Sequence, residues 1–378
     1  MNHDDLAPWL RLSLVDGVGP GTARRLLAAF GLPEAIFAQG RDALLQHASP
    51  AQSDALLAPP ADFESQLAAL RAWLEGSAPL GPERALIPLG DPRYPPALLQ
   101  IADPPLMLYA TGCVQALAAL PPCLAVVGSR NPTPQGEAHA RRFAMALAAR
   151  GVCIVSGLAL GVDGAAHQGA LDGAADDAIA TVAFVGTGLD RVYPSRHRTL
   201  AHAIAERGVL LSEYPLGTPP LAPNFPRRNR LISGLSRATL VVEAALQSGS
   251  LITAREALEQ GRDVMAMPGS IDSPQSRGCH ALIKQGARLV ETPDEVLDEI
   301  GLAAASATST GNTTASASEA PDEDTSPLLR ALGHEPAGLD DLVSRTGLDA
   351  AALQAQLLEC ELAGQVQRLP GARFQRVG

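Results

Sequence analysis

Between residues 122 and 290, short apolar runs alternate with amphipathic stretches, and no other feature restricts the fold of this chain so sharply. The runs fall at 124–127, 152–155, 181–185, 209–211, 239–242, 264–267 and 288–290; helical patterns intervene at 136–150, 164–171, 198–207, 252–260 and 279–285. A strand that reads as a continuous apolar run is buried on both faces, as happens when helices cover both sides of a parallel sheet. The fold class expected is therefore α/β, with a Rossmann-like, mostly parallel sheet as the core of a domain over 85–302. Residues 85–112, rich in proline, read as an extended approach to that sheet.

The flanks differ in pattern. Residues 1–80 break at Gly and Pro into short helices and are expected to form an N-terminal helical domain. Within it, 14–27 reads as a helix-hairpin-helix: Gly17-Val18-Gly19 is the turn, and its backbone N–H groups open the second helix, where a DNA phosphate can sit. Packing alone accounts for such a hairpin equally well. Residues 303–325 are mainly Ala, Ser and Thr with an acidic end and cannot bury a core, so they read as a disordered linker. Residues 326–378 follow the order helix, helix, helix, strand, strand, which is that of a winged helix.

Composition removes several classes of function. No apolar run reaches the roughly 18 to 20 residues that span a bilayer, and Asp4 and Asp5 stand where a signal peptide is basic, so a cytoplasmic protein is expected. Cys113, Cys123, Cys153, Cys279 and Cys360 are scattered, and the eight histidines show no ligand spacing; neither a metal site nor a disulfide framework is signalled. The net charge of −11 argues against indiscriminate nucleic-acid binding, so any such site must concentrate its cations locally. Lys284 is the only lysine, leaving arginine as nearly every cation.

Ligands of parallel α/β sheets bind at the carboxyl ends of the strands. Gly128-Ser129-Arg130 follows the first run: glycine admits a ligand to the backbone, serine offers a hydroxyl, and Arg130 a fork for phosphate. The second run leads into Ser156-Gly157, whose glycines do not follow the dinucleotide fingerprint, and no cofactor is expected. Asp163 and His167 stand four apart on a helix, the spacing of an orienting hydrogen bond in a structural pair. The densest signal is 223–237, with arginines at 227, 228, 230 and 237, no acidic residue and one aromatic, Phe225. Arg227, Arg228, Arg230 and Arg237, with Asn229, would hold phosphates beside a ring on which a base stacks. Ser248-Gly249-Ser250, at a helix start, adds N–H groups and hydroxyls as a third wall.

Together these segments resemble the DNA-processing protein A (DprA/Smf) family. The matching motifs are 125–136, 155–171, 181–194 with Gly186-Thr187-Gly188-Leu189-Asp190, Leu211-Ser212-Glu213-Tyr214-Pro215, 224–236, 241–253 and 261–269, in order across about 91–290. The resemblance implies a protein without catalytic turnover. It would bind single-stranded DNA entering the cell in natural transformation, dimerise through the Rossmann-like domain, displace single-strand binding protein and help load the recombinase RecA. Carried onto this chain, the family's DNA contacts fall on Arg130, on Phe225, Arg227 and Arg230, and on Ser248, Gly249 and Ser250. One departure concerns the tail. The helix at 349–362 has Glu359 and Glu361 but no Arg or Lys, so groove reading there is not expected; Arg368, Arg373 and Arg376 lie at the wing, and the tail reads as a protein-interaction module. The competing function is a nucleotide phosphoribohydrolase-type enzyme, acting through Glu243 or Asp163, but its Pro-Gly-Gly-x-Gly-Thr loop is absent and Ser248-Gly249-Ser250 stands instead.

Overall fold

In the computed structural model, the structure describes residues 3–76, 82–302, 326–333, 336–369 and 373–376. The linker expected at 303–325 and the tip of the wing at 370–372 lie outside them. The chain forms two compact units, one within 1–132 and 139–300, the other within 133–138 and 301–378.

The first unit is built on nine strands: β1 (Glu83–Pro88), β2 (Met107–Gly112), β3 (Cys123–Val127), β4 (Cys153–Ser156), β5 (Thr181–Phe184), β6 (Val209–Ser212), β7 (Ala238–Val241), β8 (Asp263–Ala266) and β9 (Arg288–Leu289). Their order in the sheet is β1-β2-β6-β5-β4-β3-β7-β8-β9. From β6 to β9 every pairing is parallel, and each apolar run of the sequence supplies one strand. Strands β3 to β7 are buried along their whole length, which is why they read as unbroken apolar runs. Each large apolar side chain buried there, such as Phe184, contributes about 1.5–3 kcal/mol.

The proline-rich approach at 85–112 is more than an extended connection. It forms β1 and β2, which pair antiparallel with each other, and β2 pairs antiparallel with β6, so the sheet gains two strands on one edge.

Six short helices precede the sheet: α1 (His3–Leu14), α2 (Pro20–Phe30), α3 (Pro33–Phe37), α4 (Arg41–Leu44), α5 (Pro50–Leu56) and α6 (Phe63–Glu75). Leu6, Trp9 and Leu10 of α1 and Leu67, Leu70 and Trp73 of α6 share one apolar cluster with Leu86 of β1 and Met107 and Tyr109 of β2. The hairpin turn is present: Gly17 takes φ +74°, a conformation that favours glycine, and its carbonyl accepts from Gln52 Nε2 at 2.7 Å. Arg24 of α2 donates to Asp103 at 2.7 Å and to the Pro104 carbonyl at 2.8 Å, which ties the hairpin to the segment before β2.

The sheet's remaining helices are α7 (Pro134–Ala148), α8 (Val162–Gly173), α9 (Arg198–Arg207), α10 (Asn224–Leu235), α11 (Ser250–Glu259), α12 (Arg277–Lys284) and α13 (Pro293–Glu299). The chain runs β3, β4, β5, β6 outward on one side, then returns to lay β7, β8 and β9 on the other side of β3. At such a reversal neighbouring loops diverge and leave a crevice at the carboxyl ends of the strands.

The second unit has α14 (Pro327–Leu332), β10 (Ala337–Gly338), α15 (Leu339–Thr346), α16 (Ala350–Leu362), β11 (Val366–Leu369) and β12 (Arg373–Arg376), with the strands ordered β10-β12-β11. Leu328, Leu332, Leu342, Leu353, Leu357 and Phe374 form its core. This is a winged helix, extended beyond the sequence reading by the short strand β10. Asp349 caps α16 by accepting from the N–H groups of Ala351 and Ala352, each at 2.9 Å. The outer side of α16 leaves Leu358 and Leu362 exposed beside Glu359 and Glu361.

Candidate nucleic-acid interface

The end of β3 fixes the first wall. A Cβ on Gly128 would stand 2.7 Å from a Val162 methyl and 2.9 Å from the Glu243 carbonyl, so glycine alone lets the three loops close on one another. Ser129 then donates its N–H to the Glu243 carbonyl at 2.7 Å and accepts from the Val162 N–H at 3.1 Å. Its hydroxyl takes the Asn131 N–H at 3.1 Å. Arg130, next in line, is exposed, with its guanidinium 5.6 Å from the centre of the Phe225 ring.

The loop after β4 is wound around a carboxylate. Asp163 Oδ2 accepts from the N–H groups of Gly157 at 3.1 Å and Ala159 at 3.3 Å, while Leu158 between them takes the left-handed φ of 58°. Against this loop lies Arg228, 4% exposed, whose Nε and Nη1 have no hydrogen-bond partner. Burial lowers its pKa to about 10, opposed by the attraction of Asp163, so it remains a cation at neutral pH. Burial likewise raises the Asp163 pKa, and the charge of Arg228 opposes that rise.

Here the structure corrects the expected Asp163–His167 hydrogen bond. His167 Nδ1 pairs instead with Thr181 Oγ1 at 2.7 Å. The Thr181 hydroxyl gives its own proton to the Ile154 carbonyl at 2.5 Å, so Nδ1 is the ring nitrogen that carries hydrogen. His167 Nε2 is left buried and unpartnered, and burial lowers the pKa of the ring to about 3.

Helix α10 starts where Asn224 Nδ2 donates to the Gly186 carbonyl at 3.0 Å. Phe225, Arg228 and Asn229, spaced three and four apart, therefore share the face turned to the strand ends. Asn229 Nδ2 reaches the Gly249 carbonyl at 3.4 Å and links α10 to the start of α11. There the Ser248 and Ser250 hydroxyls are 2.7 Å apart, and the α11 N-terminus adds its dipole.

These walls enclose a cavity of about 490 Å³ at the reversal point, lined by Gly128, Ser129, Arg130, Phe225, Asn229, Ser248, Gly249 and Ser250. Three residues of the expected site lie elsewhere. Gly157 sits beneath the Arg228 guanidinium and is not itself part of the lining. Arg227 is exposed outside the cavity. Arg230 lies on another side of α10, donating to Glu213 at 2.6 Å, with Asp103 at 3.5 Å. Five residues along a helix place it about 140° around from Phe225. Arg228, one of the four arginines that the sequence offers as phosphate contacts, lines the cavity. The helical spacing from Phe225 was the signal that distinguishes the two arginines.

Among the described residues no three His, Cys, Asp or Glu side chains gather as a metal site, and no helix is long and apolar enough to cross a membrane. A constricted, cation-lined crevice with an aromatic ring at its wall is chemically suited to a phosphodiester strand with an unpaired base.

Comparison with known proteins gives a consistent result. Residues 85–301 match the family model of DNA recombination-mediator protein A, and 312–372 that of the DprA winged helix domain. Protein Smf of Escherichia coli K12 is 45% identical over 309 residues, covering 79% of this chain and 78% of its own. Protein Smf of Synechocystis is 35% identical over the full length of both. The X-ray structure of DNA processing protein A from Streptococcus pneumoniae superposes with a TM-score of 0.62 at 34% identity, covering 79% of this chain and 98% of that one. That of Helicobacter pylori, whose single-stranded DNA binding mode has been described, gives 0.50 at 33% identity, covering 54% and 91%. With both family models matched in order and these relatives aligned over most of the chain, this chain belongs to the DprA/Smf family of DNA-processing proteins.

Proposed function

We propose that the chain is a non-enzymatic mediator that holds single-stranded DNA in the crevice at the β3, β4 and β7 ends, protects it, and helps load RecA in transformation and recombination. The observation that carries this reading is the convergence of Arg130, Arg228, Ser248–Ser250 backbone and hydroxyl groups, and the Phe225 ring on one cavity. Phosphates meet the cations, and a base can lie on the ring only if it is unpaired. The net charge of −11 confines affinity to such a local cluster. The likeness to the Helicobacter pylori protein supports single-stranded DNA as the ligand.

Displacement of single-strand binding protein, delivery to RecA and action in the cytoplasm are part of this proposal, and likeness to the family supports them. Association of two copies through the Rossmann-like unit is part of the same proposal, resting on the likeness to the family. The acidic, apolar outer side of α16 supports a protein partner for the winged helix. A nucleotide-cleaving reading loses one of its two acid/base candidates, because the Asp163 carboxylate is already engaged by the loop it organises.

The test is RecA filament formation on single-stranded DNA precoated with single-strand binding protein, followed with and without the chain. Accelerated nucleation is the expected result; no acceleration, together with base release from nucleoside monophosphates, would replace mediation by an enzymatic role.

A further inference from the structure

The Phe225 ring has a second neighbour that is not part of the cavity lining. Tyr193 lies 5.7 Å from it between centroids, with the planes inclined by 41°, and 47% of Tyr193 is exposed. Tyr193 belongs to the connection between β5 and α9, where Arg191, Arg196, His197, Arg198 and His202 occur with no acidic residue between 191 and 205. Arg196 and Arg198 are exposed, and among the described residues neither pairs with a carboxylate. Arg191 pairs with Asp190, but two exposed arginines beside an exposed ring have the composition of a strand-tracking surface.

The connection is firmly held. His197 Nδ1 and the Leu158 carbonyl are 3.0 Å apart, and the imidazole fills the space over Gly164, where a Cβ would collide with it. Leu158 stands between Gly157 and Ala159, the two residues whose N–H groups meet Asp163, and Ala159 lines the cavity. The connection and the cavity therefore both touch the 157–159 loop, and the rings of Phe225 and Tyr193 adjoin.

We infer that Tyr193 is a second base-stacking residue, and that a single strand leaving the cavity over Phe225 continues across Tyr193 onto Arg196 and Arg198. This rests on the reading of the cavity as a single-stranded DNA site, and adds an outward track to it. Affinity then grows with strand length: a short oligonucleotide fills the cavity alone, and a longer one engages the track as well.

The experiment compares oligothymidylates of four and twenty nucleotides on the full chain, at two salt concentrations, for wild type, Tyr193→Ala, Tyr193→Phe and Arg196→Ala/Arg198→Ala. Tyr193→Ala is expected to weaken the longer strand about tenfold and leave the shorter unchanged, with Tyr193→Phe close to wild type. The arginine pair is expected to reduce the salt slope for the longer strand by about 1.4, since each phosphate contact contributes about 0.7. Unchanged affinity of the longer strand in both variants overturns the track, as does an equal loss on both lengths. If wild type binds neither strand, the reading of the cavity itself fails, which is a separate result.

Discussion

The Arg228 guanidinium rests on the bare Cα of Gly157, in the space that any side chain at 157 would occupy. The contact joins α10 to the β4 loop and holds a buried cation at the back of the cavity. Gly157→Ala must push the guanidinium aside, at a cost of about 1–3 kcal/mol for an overpacked site. Denaturant unfolding should show that loss, and single-stranded DNA affinity should fall with it; an alanine variant as stable as wild type would mean that Arg228 yields without strain.

Arg230 is expected to act on stability and not on binding. It and Glu213 are each 13% exposed, and burial raises the Glu213 carboxyl pKa against the pull of Arg230. Arg230→Ala leaves that carboxylate buried without its partner, which costs about 3–5 kcal/mol. Urea midpoints measure this, and replacing both residues, as Arg230→Met/Glu213→Leu, should recover much of the loss. DNA affinity of the folded Arg230→Ala protein should stay near wild type; a specific loss of binding would return Arg230 to the interface.

The position of Arg230, outside the cavity, marks where the sequence was legible and where it was not. The parallel strands β3 to β7 were readable because burial on both faces makes each an apolar run, whereas β8 and β9, exposed at Asp263 and at Arg288 and Leu289, read from the apolar runs that they overlap. Strands β1 and β2 were hidden by Pro88 and the prolines at 95, 96, 104 and 105, which look like breaks although they fall at or beyond the strand ends. Most of the cavity was legible too, since its loops carry Gly, Ser and Arg at strand ends. A count of arginines in 223–237 could not tell which of them face the ligand. That depends on the rotation of α10, set by Asn224 on Gly186 and by the Glu213 carboxylate on the far side.

Acid should destabilise the fold through His167. Its folded pKa is about 3 and that of an unfolded histidine near 6.5, so between those values the unfolded chain holds the extra proton. Stability is therefore full above about pH 6.5 and falls as the pH drops, by roughly 2 kcal/mol at pH 5 from this group. In His167→Asn, which can still donate to Thr181, the pH dependence over that window should flatten by about one proton. An unchanged slope would assign the effect to other groups.

Phe225→Ala removes the ring shared by Arg130 and Tyr193. A lost base stack weakens single-stranded DNA by about 1–3 kcal/mol. Titration at constant salt measures it, and unaltered affinity would reduce the ring to a packing element.

The central claim is that Arg130 and its neighbours grip the backbone of an unpaired strand. It is tested most directly by binding of a labelled oligothymidylate and of a matched duplex, at two salt concentrations, to wild type and Arg130→Ala. The account predicts preference for the single strand, steep salt dependence, and in the variant weaker binding with a slope smaller by about 0.7. Equal affinity for the duplex, or an Arg130→Ala protein indistinguishable from wild type, would contradict it.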